Sequence, residues 1–88
     1  IKSNNAGLSQ ILNKDYPKAA ITLEGITSPN DTTYYLKAVL GARTNNSNMV
    51  YNNLYKVQVL DHAFSENART DIEFSKYWNS CQFNGVLK

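Results

Sequence analysis

Shifted by 31 residues, the sequence echoes itself. Gly7 pairs with Ala38, Leu8 with Val39, Ile11 with Ala42, Asp15 with Asn46, Ala19 with Val50, Leu23 with Leu54 and Ile26 with Val57. These matched positions agree in size and polarity, and a period in the low thirties is long enough for two antiparallel helices and too short for a separate domain. An ordinary bundle has no need for its two hairpins to match in register.

The local pattern supplies the helices. Ala6, Gly7, Leu8, Ile11 and Leu12 fall at spacings of three and four, which predicts a helix capped by Ser3 with one buried stripe. Asn13-Lys14-Asp15 breaks it. Asp15 is placed to cap a second helix with Pro17 in its first turn and Ala19, Ala20, Leu23 and Ile26 as its stripe. Ser28-Pro29-Asn30-Asp31 then turns the chain into a third helix starting at Asn30 or Asp31 and carrying Tyr34, Tyr35, Ala38, Val39 and Ala42. Beyond the polar run 44–48, a fourth helix extends from Met49 to about His62, with Val50, Leu54, Val57 and Leu60 or Asp61 at helical spacing. Small residues at Gly7, Ala19 and Ala38 allow close backbone approach, while Leu23, Ile26, Leu54 and Val57 fill the seam between hairpins. Gly85 is expected to mark a frayed end.

The expected class is therefore all-α. Residues 1–62 form two hairpins (about 3–29 and 30–62), and residues 63–88 form a capping segment. Eighty-eight residues bury roughly 60 to 65% of the unfolded chain's surface, which leaves little room for a deep catalytic cleft. The chain opens on Ile1 without a Met or leader, as expected of a processed product or part of a longer protein. About three such repeats are normally needed for independent stability. The N-terminal stretch Ile1 to Ser9 is thus expected to abut preceding repeats, a partner or a second copy, and a homodimer through this exposed hairpin follows.

Few residues carry chemistry. The formal charge is +2, from nine Lys and Arg scattered along the chain, which suits a solvated surface better than a phosphate-binding stripe. No apolar run is long enough to span a membrane. His62, the single histidine, is expected at a helix C-terminus, where it interacts with the dipole, and no set of metal ligands surrounds it. Cys81 has no histidine placed to activate it. Asp71 and Glu73 read as a helix cap and a solvated charge rather than an acid and base pair. No phosphate-binding glycine motif, H-E-x-x-H or C-x-x-C is present. The expectation is no enzyme activity, no cofactor and no metal.

The run Asn4-Asn5-Ala6-Gly7, followed by Asp15-Tyr16, Ala19, Leu23, Ile26 and Pro29, resembles the tetratricopeptide repeat (TPR) family, with its small pair in the first helix, G-D-Y turn and A-x-x-x-[FL]-x-x-A second helix. Lys14 stands where that family has its turn glycine, and Gln10 where an aromatic is usual. Ala68-Arg69-Thr70-Asp71-Ile72-Glu73-Phe74, with Tyr77-Trp78 and Gln82-Phe83, is similar to the A-x-x-D-x-[DE]-F…F ending of many bacterial repeat arrays. The resemblance implies a TPR-like alpha-alpha superhelix whose C-terminal capping helix folds Phe74, Trp78 and Phe83 over the last hairpin. Arrays of this kind resemble the C-terminal parts of cell-envelope proteins of Bacteroides-like bacteria, which implies a periplasmic or envelope location.

In that architecture the first helix of each hairpin lines the concave side, and the family's spacing puts Asn4, Asn5, Leu8, Tyr35, Val39 and Arg43 there. The implied role is a noncatalytic protein-interaction or assembly module of a larger protein, with a peptide or protein partner. Two alternatives stand beside it. One is a helical module for RNA or single-stranded nucleic acid, stacking bases on Tyr34, Tyr35, Tyr51, Tyr55 and Tyr77 beside Lys37, Lys56 and Lys76. Weak net charge argues against that ligand. The other is a purely structural terminal segment of an envelope protein.

Overall fold

Ser3, in extended conformation, accepts a hydrogen bond from the Ala6 N–H at 3.1 Å and so starts the first helix, α1 (Asn4–Leu12). The computed structural model describes residues 2–88, and among them there is no strand. The chain is all-helical. After α1 come α2 (Tyr16–Glu24), α3 (Asp31–Arg43) and α4 (Ser47–Leu60), then a short α5 (His62–Ser65), 3-10 turns at Glu66–Arg69 and Ile72–Tyr77, and α6 (Cys81–Val86).

The α1–α2 and α3–α4 turns share one backbone solution. Lys14 (φ 62°) and Asn45 (φ 59°), 31 residues apart, are the described non-glycine residues in the left-handed region. In the first turn the Lys14 N–H donates to the Ile11 carbonyl and the Asp15 N–H to the Gln10 carbonyl, both at 2.9 Å. In the second, the Asn45 N–H donates to Ala42 at 3.4 Å and the Asn46 N–H to Gly41 at 2.8 Å. This is the six-residue closure that satisfies the last carbonyls of a helix while reversing the chain. Asparagine tolerates such a conformation and lysine pays about 1 to 2 kcal/mol for it. Lys14 is held there by the paired hydrogen bonds on either side.

Caps set the other boundaries. Asn30 and Thr33 form a reciprocal capping box at the head of α3, with Thr33 N–H to Asn30 Oδ1 at 3.0 Å and Asn30 N–H to Thr33 Oγ1 at 3.1 Å. Asn46 caps α4 by accepting from Met49 N–H at 3.1 Å. Asp15 stands at the head of α2 but makes no side-chain cap, so Pro17 in the first turn carries that start. The fourth helix differs from expectation at its end. Asp61 is extended (φ −156°), stops α4 after Leu60, and turns its carboxylate onto the Phe64 N–H at 3.1 Å to start α5. His62 therefore opens a helix rather than closing one, exposed and 3.5 Å from Glu66.

The two hairpins close through small residues. A Cβ added to Gly7 would lie 2.5 Å from Leu23 Cδ2, and one added to Gly41 would lie 2.9 Å from Met49 Cβ and 3.0 Å from the Asn46 carbonyl. Leu23, Leu54 and Val57 are fully buried in the resulting seam with Ile11, Ala19, Ala38 and Val50, each large aliphatic contributing about 1.5 to 3 kcal/mol of transfer free energy. Ile26 is half-buried at its edge. The capping segment completes the core: Phe74, Phe83 and Leu87 are fully buried and Trp78 half-buried, its Nε1–H donating to the Ala68 carbonyl at 3.0 Å. Here α6 packs on α4 and the Ile72–Tyr77 turn on α3. Gly85 lies inside α6 instead of fraying it, because Leu87 beyond it is anchored in the core.

Candidate protein-interaction surface

The ridge Tyr35–Val39–Arg43 runs along α3 over two turns, and the capping segment lies across it. Asp71, whose Oδ1 accepts from the Glu73 N–H at 3.0 Å as a helix cap, uses its second oxygen to accept from the Tyr35 hydroxyl at 2.7 Å. Two residues on, Glu73 takes two hydrogen bonds from Arg43, Nε to Oε1 at 2.9 Å and Nη2 to Oε2 at 2.6 Å. Glu73 is thus a fixed partner and not a solvated charge. Arg43 Nη1 reaches the Ile11 carbonyl at 3.1 Å, joining the strap to the end of α1. Below them Phe74 meets the Tyr35 ring edge-on at 5.6 Å between centroids, and Phe64 stacks on it tilted at 5.0 Å.

These contacts set the electrostatics. Burial first, then the hydrogen bond to Asp71, pushes the Tyr35 hydroxyl above the usual tyrosine range. The Glu73 carboxylate, by hydrogen bond, holds the Arg43 guanidinium more firmly protonated than usual, against the opposing effect of desolvation. Both groups keep their protons across the physiological range and act as permanent donors to the strap.

The six residues assigned to the concave face by resemblance therefore divide into two groups. Tyr35 and Val39 are buried and Arg43 is ion-paired, so within this chain the α3 ridge is occupied by residues 71–74. Asn4, Asn5 and Leu8 lie together on α1. Asn4 is half-buried, its amide donating to Asn30 Oδ1 at 3.1 Å and its carbonyl accepting from the Thr33 hydroxyl at 2.7 Å. Asn5 is exposed. Leu8 and Leu12, one turn apart, are 40% and 60% exposed. Both were expected on the buried stripe of the first helix, but Gly7 and Ile11 alone are buried there, and the 31-residue shift places Leu12 opposite Arg43 just as it places Asn4 opposite Tyr35 and Leu8 opposite Val39. Ile1, at the head of the stretch expected to meet other protein, lies outside the described residues.

Two shallow depressions lie elsewhere. One, of about 260 Å³, is lined by Tyr16, Pro17, Ala20, Leu40, Thr44 and Met49, and the other, of about 300 Å³, by Tyr34, Tyr55, Lys56, Val59 and Leu60. Among the described residues no three of His, Cys, Asp and Glu converge as metal ligands, and no helix is long and apolar enough to cross a membrane. Cys81 is a free, exposed thiol in the first turn of α6. Of the tyrosines read as stacking platforms, Tyr35 and Tyr77 are buried, while Tyr51 packs edge-on against Tyr77 and hydrogen-bonds Ser80 at 3.1 Å. Tyr55 is exposed. Comparison with protein-family models, with curated proteins and with solved structures found no match for this chain.

Proposed function

We propose that this chain is a noncatalytic, TPR-like helical-hairpin module that presents the outer ridge of α1 to a peptide or protein partner as part of a larger assembly. The observation that carries this reading is the common hydrogen-bond pattern of the two turns, Asp15 to Gln10 and Asn46 to Gly41, 31 residues apart. Equivalent turns give α1 and α3 equivalent roles in their hairpins, so the ridge Tyr35–Val39–Arg43 has its counterpart in Asn4–Leu8–Leu12. The first ridge is covered by an acidic and aromatic 3-10 turn of the chain itself. The second carries two exposed leucines and the exposed amide of Asn5, a mixture suited to an extended peptide or to the edge of a neighbouring hairpin. A second copy of this chain is one such neighbour, and a preceding repeat in an envelope protein is another.

Selection of displayed peptides on the full 88-residue chain tests the assignment. Leu8→Glu and Leu12→Glu change exposed side chains and leave the core intact. Peptides enriched on the wild type are expected to lose binding to both variants and to keep it for Tyr55→Ala. Enrichment of peptides indifferent to both leucine variants would remove the α1 ridge as the partner surface.

A further inference from the structure

The sequence holds one Asn-Gly pair, Asn84-Gly85, and it lies in α6. An asparagine carboxamide and the backbone nitrogen of the next residue are spaced to close a five-membered ring, and glycine leaves that nitrogen unshielded because it has no Cβ. The other asparagines are each followed by a residue with a side chain. Packing does not call for the glycine: it is exposed, and a Cβ added there meets nothing within 4 Å.

In the folded chain the ring is kept from closing. Asn84 Nδ2 donates to the Trp78 carbonyl at 3.1 Å and to the Ser80 carbonyl at 3.0 Å, while its Oδ1 accepts from Arg69 Nη1 at 2.9 Å. These three bonds hold the carboxamide on residues that precede α6, and the helical backbone directs the Gly85 N–H at the carbonyl four residues back. Arg69 Nη2 also reaches the Leu87 carbonyl at 3.3 Å, so one guanidinium holds both the carboxamide and the end of the chain. The protection is local. With six residues, α6 is too short to persist alone and stays helical through its buried anchors Phe83 and Leu87. A short terminal element of this kind opens more readily than the whole domain unfolds.

We propose that Asn84 is a gated site of spontaneous deamidation, closed in the folded chain by Arg69, Trp78 and Ser80 and reactive whenever α6 opens. The Gly85 nitrogen attacks Asn84 Cγ, and the carboxamide nitrogen leaves as ammonia, carrying away the proton that Gly85 gives up. Water then opens the resulting succinimide at either carbonyl, giving aspartate or isoaspartate. Neither product restores the gate. Aspartate puts an anionic oxygen where Nδ2 now donates, facing two carbonyl oxygens that lose their donor. Isoaspartate routes the main chain through the former side chain, and the added methylene breaks the helical register that carries Leu87 into the core. The modification is therefore one-way, and it loosens the capping segment without touching the α1 ridge.

Incubation of the full 88-residue chain in mildly alkaline buffer, with and without urea, decides it, read by peptide mapping and by labelling with an isoaspartyl methyltransferase. In urea, Asn84 is expected to convert faster than any other asparagine, and Gly85→Ala to suppress that conversion. Without urea the wild type should convert about tenfold or more slowly. Arg69→Ala, at an exposed position, should recover much of the difference, whereas Arg43→Ala, which weakens the strap and leaves the gate in place, should not. Thermal melting checks that each variant is folded, and Asn84→Asp is expected to melt below the wild type. Slow conversion of Asn84 in urea would overturn the site. Equal rates with and without urea would overturn the gate, as would greater acceleration by Arg43→Ala than by Arg69→Ala, since global unfolding alone would then expose the pair. Asn84→Asp melting with the wild type would show that the product restores the gate, against the proposal.

Discussion

Arg43 grips Glu73 with two hydrogen bonds of 2.9 and 2.6 Å across 30 residues of sequence, and its third donor caps the Ile11 carbonyl. One guanidinium therefore ties together the first hairpin, the second hairpin and the capping segment. Arg43→Ala should destabilise the chain by about 2 kcal/mol, since it leaves a half-buried carboxylate and a carbonyl without their donor. Glu66→Gln, in an exposed pair one helical turn long with Arg69, should cost no more than about 0.5 kcal/mol. Chemical denaturation of the two variants checks the contrast, and equal effects would mean that the strap contributes no more than a surface ion pair.

Tyr35 gives the strap a pH dependence. Its hydroxyl is shifted above the usual tyrosine range by burial and by Asp71, so the folded state holds this proton more tightly than the unfolded state does. The associated stability is fully present below the ordinary tyrosine value of about 10 and is lost as the pH rises beyond it. Tyr35→Phe should lower stability by about 1 kcal/mol at neutral pH and should flatten the decline above pH ~10. Denaturation midpoints from pH 7 to 11 measure both effects.

Two glycines, both helical, should respond in opposite directions. Gly7→Ala places a methyl 2.5 Å from Leu23 Cδ2 and 2.9 Å from its Cγ, in a fully buried seam. Overpacking of about 1 to 3 kcal/mol should outweigh the helix-propensity gain of about 1 kcal/mol. Gly85→Ala meets nothing within 4 Å and should stabilise the chain by up to about 1 kcal/mol. Thermal melting that ranked Gly7→Ala above wild type would contradict the close approach of α1 and α2.

The paired turns make a quantitative prediction as well. Lys14→Gly relieves a side chain held at φ 62° and should stabilise by about 1 kcal/mol. Asn45→Gly should gain less, because asparagine already tolerates that region and because its side chain accepts a hydrogen bond from Lys76. Denaturation midpoints in the order Lys14→Gly above Asn45→Gly are expected.

What the sequence disclosed was short in range. Ser3, Asn30 and Asp71 cap the helices they precede because a cap is a bond between a side chain and a backbone group two or three residues away. The apolar stripe through Ile11, Leu23, Leu54 and Val57 is legible for the same reason. The break at Asp61 escaped notice because Leu60 continues the apolar pattern and only the extended backbone of Asp61 reveals the restart. Gly85 looked like an ending because the anchor beyond it, Leu87, is buried by tertiary packing. The occupied ridge was the least accessible feature. Asp71 and Glu73 find Tyr35 and Arg43 across 36 and 30 residues, and nothing local distinguishes them from a cap beside a solvated charge.

The equivalence of α1 and α3 is tested most directly by methyl NMR of the full chain titrated with a peptide selected on it. The account predicts that the Leu8 and Leu12 methyls shift together while those of Val39, buried on α3, stay unchanged. Shifts centred on Val39, or on Val59 and Leu60 with Leu8 and Leu12 silent, would contradict it.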